Sequence, residues 1–223
     1  MTLTLRPHQT KAVKAMLRNT KGQIIIPTGG GKTMCMIDDA MNEFSRTVLS
    51  KTIVVVAPRI LLANQLSAEF LYHNLDGAAE SNATVNVMHV HSGETHHFST
   101  TNVDEIRQFN YDTACDQKHL LIFTTYHSLH KIQESNIVVD TIYFDEAHNS
   151  VQKNFFPATE HFSHFAERCY YFTATPKHSR SPVKAGMNWP EYGQVICQVP
   201  APQLVKEGYI LPPKVEVYQS RIL

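Results

Sequence analysis

The segment GQIIIPTGGGKTMCMI, Gly22 to Ile37, joins two apolar runs through Pro-Thr, three consecutive glycines and Lys-Thr. Phosphates need a concave set of backbone N–H donors, and glycines let a chain fold tightly enough to supply one. A helix that starts directly after such a loop adds its positive N-terminal end. Thr28, Gly29, Gly30 and Gly31 would form the cradle. Lys32 would carry a mobile charge to the β- and γ-phosphates, and Thr33 a hydroxyl to Mg²⁺. The full pattern GxxxxGK[ST] asks for glycine at position 26, where this chain has Ile26. A glycine-rich turn beside a chance Lys-Thr is the bland alternative, and a second motif argues against it.

That motif is DTIYFDEAHNS. The apolar run Thr141–Phe144 delivers Asp145, Glu146 and His148 at its carboxyl end, the edge where open α/β sheets bind ligands. Asp145 is placed to hold Mg²⁺ through water, and Glu146 to orient and deprotonate an attacking water. Asp-Glu after a lone strand is often a solvated loop. Together with the phosphate loop it completes a phosphoryl-transfer site.

These groups need a sheet with one functional edge. β-rich runs recur at 24–26, Thr52–Ala57, 85–91, 120–124, Thr141–Phe144 and 170–173, several apolar on both faces as a covered parallel sheet requires. Helical patterns lie between them at 10–18, 32–44, 61–72, 104–109 and 127–133. The alternation predicts an α/β fold, a mostly parallel sheet with helices on both faces. Loops are expected at 76–82 and 91–101, a long surface segment at 178–192, and a short helix at 200–208 closed by Gly208. Val215–Tyr218 alternates like the start of another strand.

The bulk numbers fit. The 223 residues suit one domain with a sizeable core. Twenty basic and 20 acidic residues cancel, which neither signals a polyanion partner nor excludes a local basic groove. The four cysteines, at 35, 115, 169 and 197, show no zinc spacing and suit a reducing compartment. No apolar run reaches the roughly 20 residues of a membrane span. A cytoplasmic protein is expected, or a nuclear one in a host with a nucleus.

With these motifs in order, the chain resembles a superfamily-two DEAD/DEAH-type helicase or translocase, specifically its N-terminal RecA-like P-loop domain. PTGGGKT resembles motif I, a form this class tolerates without glycine at position 26, and DEAH resembles motif II. LRPHQ resembles the adenine-recognition element, which implies Arg6 and Gln9 as nucleotide contacts, Gln9 to the base. A Gln amide both donates and accepts, so it can prefer ATP to GTP. VVVAPRILLANQL resembles motif Ia, which implies Pro58 and Arg59 as nucleic-acid contacts, and TTYHSL implies the same of Thr124 and Thr125. TATP resembles motif III, which implies that Thr173, Ala174 and Thr175 couple the nucleotide site to the polymer groove. The resemblance implies ATP and Mg²⁺ as cofactors, with Lys32, Asp145, Glu146 and His148 as catalytic residues.

The segments LRPHQ, FTTYHSL, FDEAH, FTATP and LVKEGYILPP look closest to restriction-enzyme motors and phage or repair DNA helicases. DNA is therefore favoured over RNA as partner. An RNA helicase, or a nucleotide-gated binding module with incidental turnover, stays open. No arginine-rich motif of a second RecA-like domain follows. The expected organisation is an ATP-binding domain over 1–210 and, over 211–223, the start of a linker or first strand toward a second domain. Such a fragment is expected to bind Mg-ATP, hydrolyse it weakly and not unwind.

Three features stand apart from these motifs. His89, His91, His96 and His97 lie close together but lack a Cys or carboxylate at metal spacing, so they read as strand-end and loop histidines. KHSRSPVK, Lys177 to Lys184, is basic and either lines the polymer groove or is a solvated loop. Trp189 with Tyr192 either stacks on a base or anchors the long loop, and the anchor is the plainer choice.

Overall fold

Side chains alternate along the apolar runs, and both sets of alternating positions are apolar, so each strand must be covered twice. The computed structural model describes residues 4–77 and 85–212. These residues form eight strands: β1 (Lys21–Ile25), β2 (Thr52–Ala57), β3 (Val85–Val90), β4 (Phe98–Ser99), β5 (His119–Thr125), β6 (Thr141–Phe144), β7 (Arg168–Thr173) and β8 (Val195–Gln198). They form one sheet in the order β4-β3-β5-β2-β6-β7-β1-β8, every pair parallel. Among the described residues seven α-helices accompany them: α1 (Pro7–Met16), α2 (Lys32–Ser45), α3 (Ile60–Gly77), α4 (Val103–Cys115), α5 (Leu129–Ser135), α6 (Phe156–Phe165) and α7 (Ala201–Lys206).

Two buried clusters sandwich the sheet. On one face Val55, Phe123, Tyr143 and Phe172 pack with Met16 of α1, Met36 of α2, Phe70 of α3 and Leu204 of α7. On the other, Val54, Ile122, Phe144 and Tyr171 pack with Ile106 of α4, Ile132 of α5 and Phe162 of α6. Alternate residues of one strand thus serve opposite cores, which is why strands such as TIVVVA are apolar throughout.

Several boundaries differ from those expected. α1 starts at Pro7 rather than residue 10, because proline is pre-organised for the first helical turn. α4 runs well past 104–109; Asn102 caps it by accepting hydrogen bonds from the Asp104 and Glu105 amides, while few apolar residues mark its length. α5 begins at Leu129, after the turn at 126–128. Within 91–101, expected as loop, Phe98–Ser99 pairs with Met88–His89. β8 is a short edge strand with a mostly exposed pattern that gives little signal. α3 extends to Gly77; the rest of the 76–82 loop and the strand at Val215–Tyr218 lie outside the described residues.

At the amino edge of the sheet the charges are locked together. The Arg168 guanidinium donates to Asp39 and to Glu43, each at 2.7 Å, and Asp39 also accepts from the Tyr143 hydroxyl at 2.6 Å. Burial works against the Arg168 charge, but the bond and charge of Asp39 outweigh it and raise its pKa. Asp39 is fully buried, so removing its partner strands a charge. Arg168→Ala should therefore destabilise the domain by about 3–5 kcal/mol, read as a fall in the urea midpoint; a change within about 0.5 kcal/mol would show the network to be dispensable.

Candidate active site

The phosphate loop leaves β1 at its carboxyl end and enters α2 directly. Gly29 and Gly31 hold φ of 77° and 78°, the left-handed region that glycine alone enters freely. Gly30 donates to Pro27 O at 2.9 Å and is packed so closely that a Cβ would meet Ile26 Cγ2. Ile26 itself is fully buried, so the position where the wider pattern has glycine here belongs to the core beneath the loop.

The first helix clasps this loop. Gln9 Nε2 donates to Gly31 O at 3.2 Å, and Gln9 Oε1 accepts from Arg6 N at 2.7 Å. His8 Nε2 sits 2.8 Å from Gly30 O. A carbonyl only accepts, so Nε2 carries a proton; Nδ1 is buried without a hydrogen-bond partner among the described residues. Arg6 lies 4.9 Å over the Tyr209 ring, and His8 packs 5.3 Å from the same ring. His8 and Tyr209 were not among the expected contacts. His8 lies inside the LRPHQ motif, whereas nothing local ties Tyr209 to the loop.

Lys32 Nζ pairs with Glu146 Oε1 at 3.1 Å, which joins the two motifs directly. Glu146 is held at φ 45° and ψ 52°, a left-handed conformation that costs a non-glycine residue of order 1 kcal/mol. The Tyr126 hydroxyl donates to Asp145 O at 2.8 Å, and Asp145 N donates to Val56 O at 2.9 Å. His148 Nδ1 lies 3.0 Å from Thr173 Oγ1, which also accepts from Thr175 N at 3.1 Å. DEAH and TATP are thus in direct contact. Burial, and then the charge of Glu146, raises the Asp145 carboxyl to about 6 against the pull of Lys32.

The donor set fits a magnesium nucleotide. A loop with left-handed glycines leads into a helix start, a cation stands beside it, and a crowded carboxylate pair would be relieved by a divalent ion. Thr28 and Gly29 are exposed and Thr33 is half-buried at the start of α2, on the loop side of the site.

The expected polymer contacts divide. Arg59 is exposed and, with Pro58, Tyr126, His127 and Asn149, lines a cleft of about 570 Å³. Thr124 is fully buried and its hydroxyl donates to Val90 O at 2.8 Å, so its side chain does not reach that cleft. Thr125 is also buried, 3.4 Å from Ser128 Oγ, and braces the turn that presents His127. Ala174 and Thr175 follow β7 toward the surface.

A family model described as "Type III restriction enzyme, res subunit" matches residues 2–178. The chain belongs to this family. Its fold is the N-terminal RecA-like domain of superfamily-two helicases. Among solved structures it is similar to the Type ISP restriction-modification enzyme LlaGI, determined with a DNA substrate mimic (TM-score 0.76, 23% identity, 92% of this chain and 21% of that one). The DNA-bound Type ISP enzyme LlaBIII gives TM-score 0.72 at 22% identity over 92% of this chain and 15% of that one. The Sulfolobus solfataricus SWI2/SNF2 ATPase core with dsDNA gives 0.51 at 20% identity, over 78% of this chain and 32% of that one. The chain therefore spans about a fifth or less of the length of the two restriction enzymes it resembles. Comparison with the curated proteins gives no match. Among the described residues no helix is long and apolar enough to cross a membrane.

The raised Asp145 carboxyl makes a signed prediction. The folded chain binds a proton there that the unfolded chain releases near 3.8, so the associated stability is full below about pH 4 and is lost as pH rises through about 6. In metal-free buffer Asp145→Asn should match the parent at low pH and exceed it near neutrality by roughly 1–2 kcal/mol, after discounting for partial exposure. Thermal melts across that range check it; a variant less stable at neutral pH would refute it.

Proposed function

We propose that this domain is the ATP-hydrolysing half of a DNA motor, the first of two RecA-like domains. The observation that carries it is the meeting of Lys32, Glu146, His148 and Thr173 at one sheet edge, beneath a loop with two left-handed glycines. Backbone amides of 29–33 would cradle the phosphates, and Thr33 and Asp145 would hold Mg²⁺, which supplies charge neutralisation at the transferring group. Lys32 would leave Glu146 for the phosphates, freeing that carboxylate to take a proton from the attacking water. His148 would carry the change to Thr173, and Thr173–Thr175 would pass it toward Arg59 and the turn at Thr125. Arg6 and Gln9 would face the base; Gln9 Oε1 retains one acceptor site, while Nε2 would exchange one of its bonds to Gly30 O and Gly31 O for the base.

DNA is favoured because two similar restriction enzymes were solved on DNA or its mimic. A second RecA-like domain would supply an arginine at the γ-phosphate; in other nucleotidases such an arginine gives about 10³–10⁵ in rate. The chain alone should therefore bind ATP, turn it over slowly and not unwind.

Turnover with no polymer, single-stranded DNA, duplex DNA and RNA in turn tests this. Stimulation by DNA is expected, and Glu146→Gln should lower turnover by about 10²–10⁴ while retaining ATP binding. Stimulation by RNA alone would reassign the polymer. ATP binding with no polymer-stimulated turnover, in the longest native chain, would make the domain a nucleotide-gated binding module instead.

A further inference from the structure

Beside the Arg59 cleft lies a second and larger one, of about 770 Å³, between the start of α6 and the segment 177–189. The two share Gln152 and Lys153 in their walls, so they run into one another. The volume is within the roughly 300–1,000 Å³ of ligand clefts. Its walls combine two kinds of group. Lys153, Lys177 and Lys184 are exposed, and no carboxylate lines the cleft. None of the three lysines makes an ion pair among the described residues, whereas Lys32, Lys51, Lys118 and Lys131 do. The other component is aromatic: Trp189 is half-buried and meets Phe156 at 5.4 Å with the rings perpendicular.

The segment is held in shape although it is polar and superficial. Asn188 clasps Ser179 from both sides, accepting from its N–H at 2.8 Å and donating to its carbonyl at 2.9 Å. Met187 N donates to Lys177 O at 2.8 Å, and Trp189 N to Gly186 O at 2.9 Å. Gly186 permits the crossing, because a Cβ there would strike Ser179 N and Asn188 Oδ1. A solvated loop has no need of such bracing. Here it fixes where the lysines and the tryptophan stand relative to α6.

From this geometry we infer that the 177–189 cleft is a stacking site for a single-stranded stretch of polynucleotide that continues past Arg59, with one base against Trp189 and its phosphates on Lys153, Lys177 and Lys184. The inference rests on the nucleic-acid reading above. Unpaired cations around an aromatic platform suit a chain that is anionic along its backbone and flat at each base. A stacked duplex cannot lend a base to Trp189, so the strand must be single there or have its base turned out. The walls offer few groups that could tell one base from another, so binding should be tolerant of sequence. Since 177–189 follows Thr173–Thr175 directly in the chain, the strand here would lie one short connection from the His148 contact.

Trp189 is the single tryptophan of the sequence, so its emission reports on this cleft without any labelling of the protein. The experiment follows Trp189 fluorescence of the chain, and in parallel the anisotropy of a fluorescein-labelled oligothymidylate. Expected are quenching on oligonucleotide addition and a binding curve that coincides with the anisotropy. Lys177→Ala with Lys184→Ala should lower the log–log salt slope by about 1.4, two contacts at about 0.7 each. Trp189→Ala should weaken binding roughly 5- to 150-fold, and Trp189→Phe should recover most of it. Binding by anisotropy with unchanged tryptophan emission and an unchanged slope in the double-lysine variant overturns this inference and leaves the nucleic-acid reading intact. Absence of any oligonucleotide binding, with ATP binding retained, overturns both. Quenching by polyglutamate but not by oligothymidylate would make the cleft an acidic-peptide site and refute the proposal.

Discussion

The pairing of β7 between β6 and β1 is the constraint on which the carboxyl edge depends. Ile25 is level with Thr173, and Phe144 with Tyr171, so the ends of three parallel strands fall side by side. The chain makes β1 first, crosses to β2, and only much later returns to insert β6 and β7 into the gap. That detour brings Lys32 and Glu146 within 3.1 Å and sets Thr173 next to His148. Ile26 N donates to Thr173 O at 3.1 Å, which ties the residue beneath the loop to the start of TATP. One hydrogen bond thus connects the strand beneath the phosphate loop directly to TATP.

The two edges of the sheet handle charge in opposite ways. At the amino edge, Arg168, Asp39, Glu43 and Tyr143 satisfy one another, as buried charges must if they are to be tolerated. At the carboxyl edge, Asp145 and Glu146 stand side by side with Lys32 paired to Glu146, and burial first, then the charge of Glu146, raises the Asp145 pKa. Glu146 adds a left-handed backbone. Strain and incomplete neutralisation collect where a ligand would relieve them.

Much of this was legible in the residues, for identifiable reasons. TIVVVA and TIYF are apolar on both faces because two cores flank them, and both strands have the expected limits. PTGGGKT and DEAH, far apart in the chain, read as one site, and the fold brings Lys32 and Glu146 within 3.1 Å. The failures are equally specific. α4 buries little beyond Ile106, so its period is weak. Among the described residues β8 pairs on one side only, and it keeps a mostly exposed pattern. Thr124 reads as a polymer contact from its motif, and the local pattern does not signal that its hydroxyl is buried against Val90 O. His89 and His91 do lie at the end of β3 and just after it, as expected, but their burial, their 3.0 Å contact and the bond from His89 to Ser67 carry no local signal. A short polar side chain is read from neighbours in space, which the local pattern does not contain.

The position of β1 also shapes how the domain comes to exist. Both partners of β1, β7 and β8, are synthesised after nearly all the rest of the sheet. On a ribosome, β2, β3 and β5 can pair while β1 still has open edges on both sides, and the glycine loop has no fixed strand to leave from. Non-local pairings of this kind carry a large loop-closure cost and form late. The half of the domain that would handle nucleotide is thus the half that matures last. The Lys-Thr of the loop thus precedes by far the strands that complete its sheet, and a nucleotide site there would wait for the sheet to close around β1.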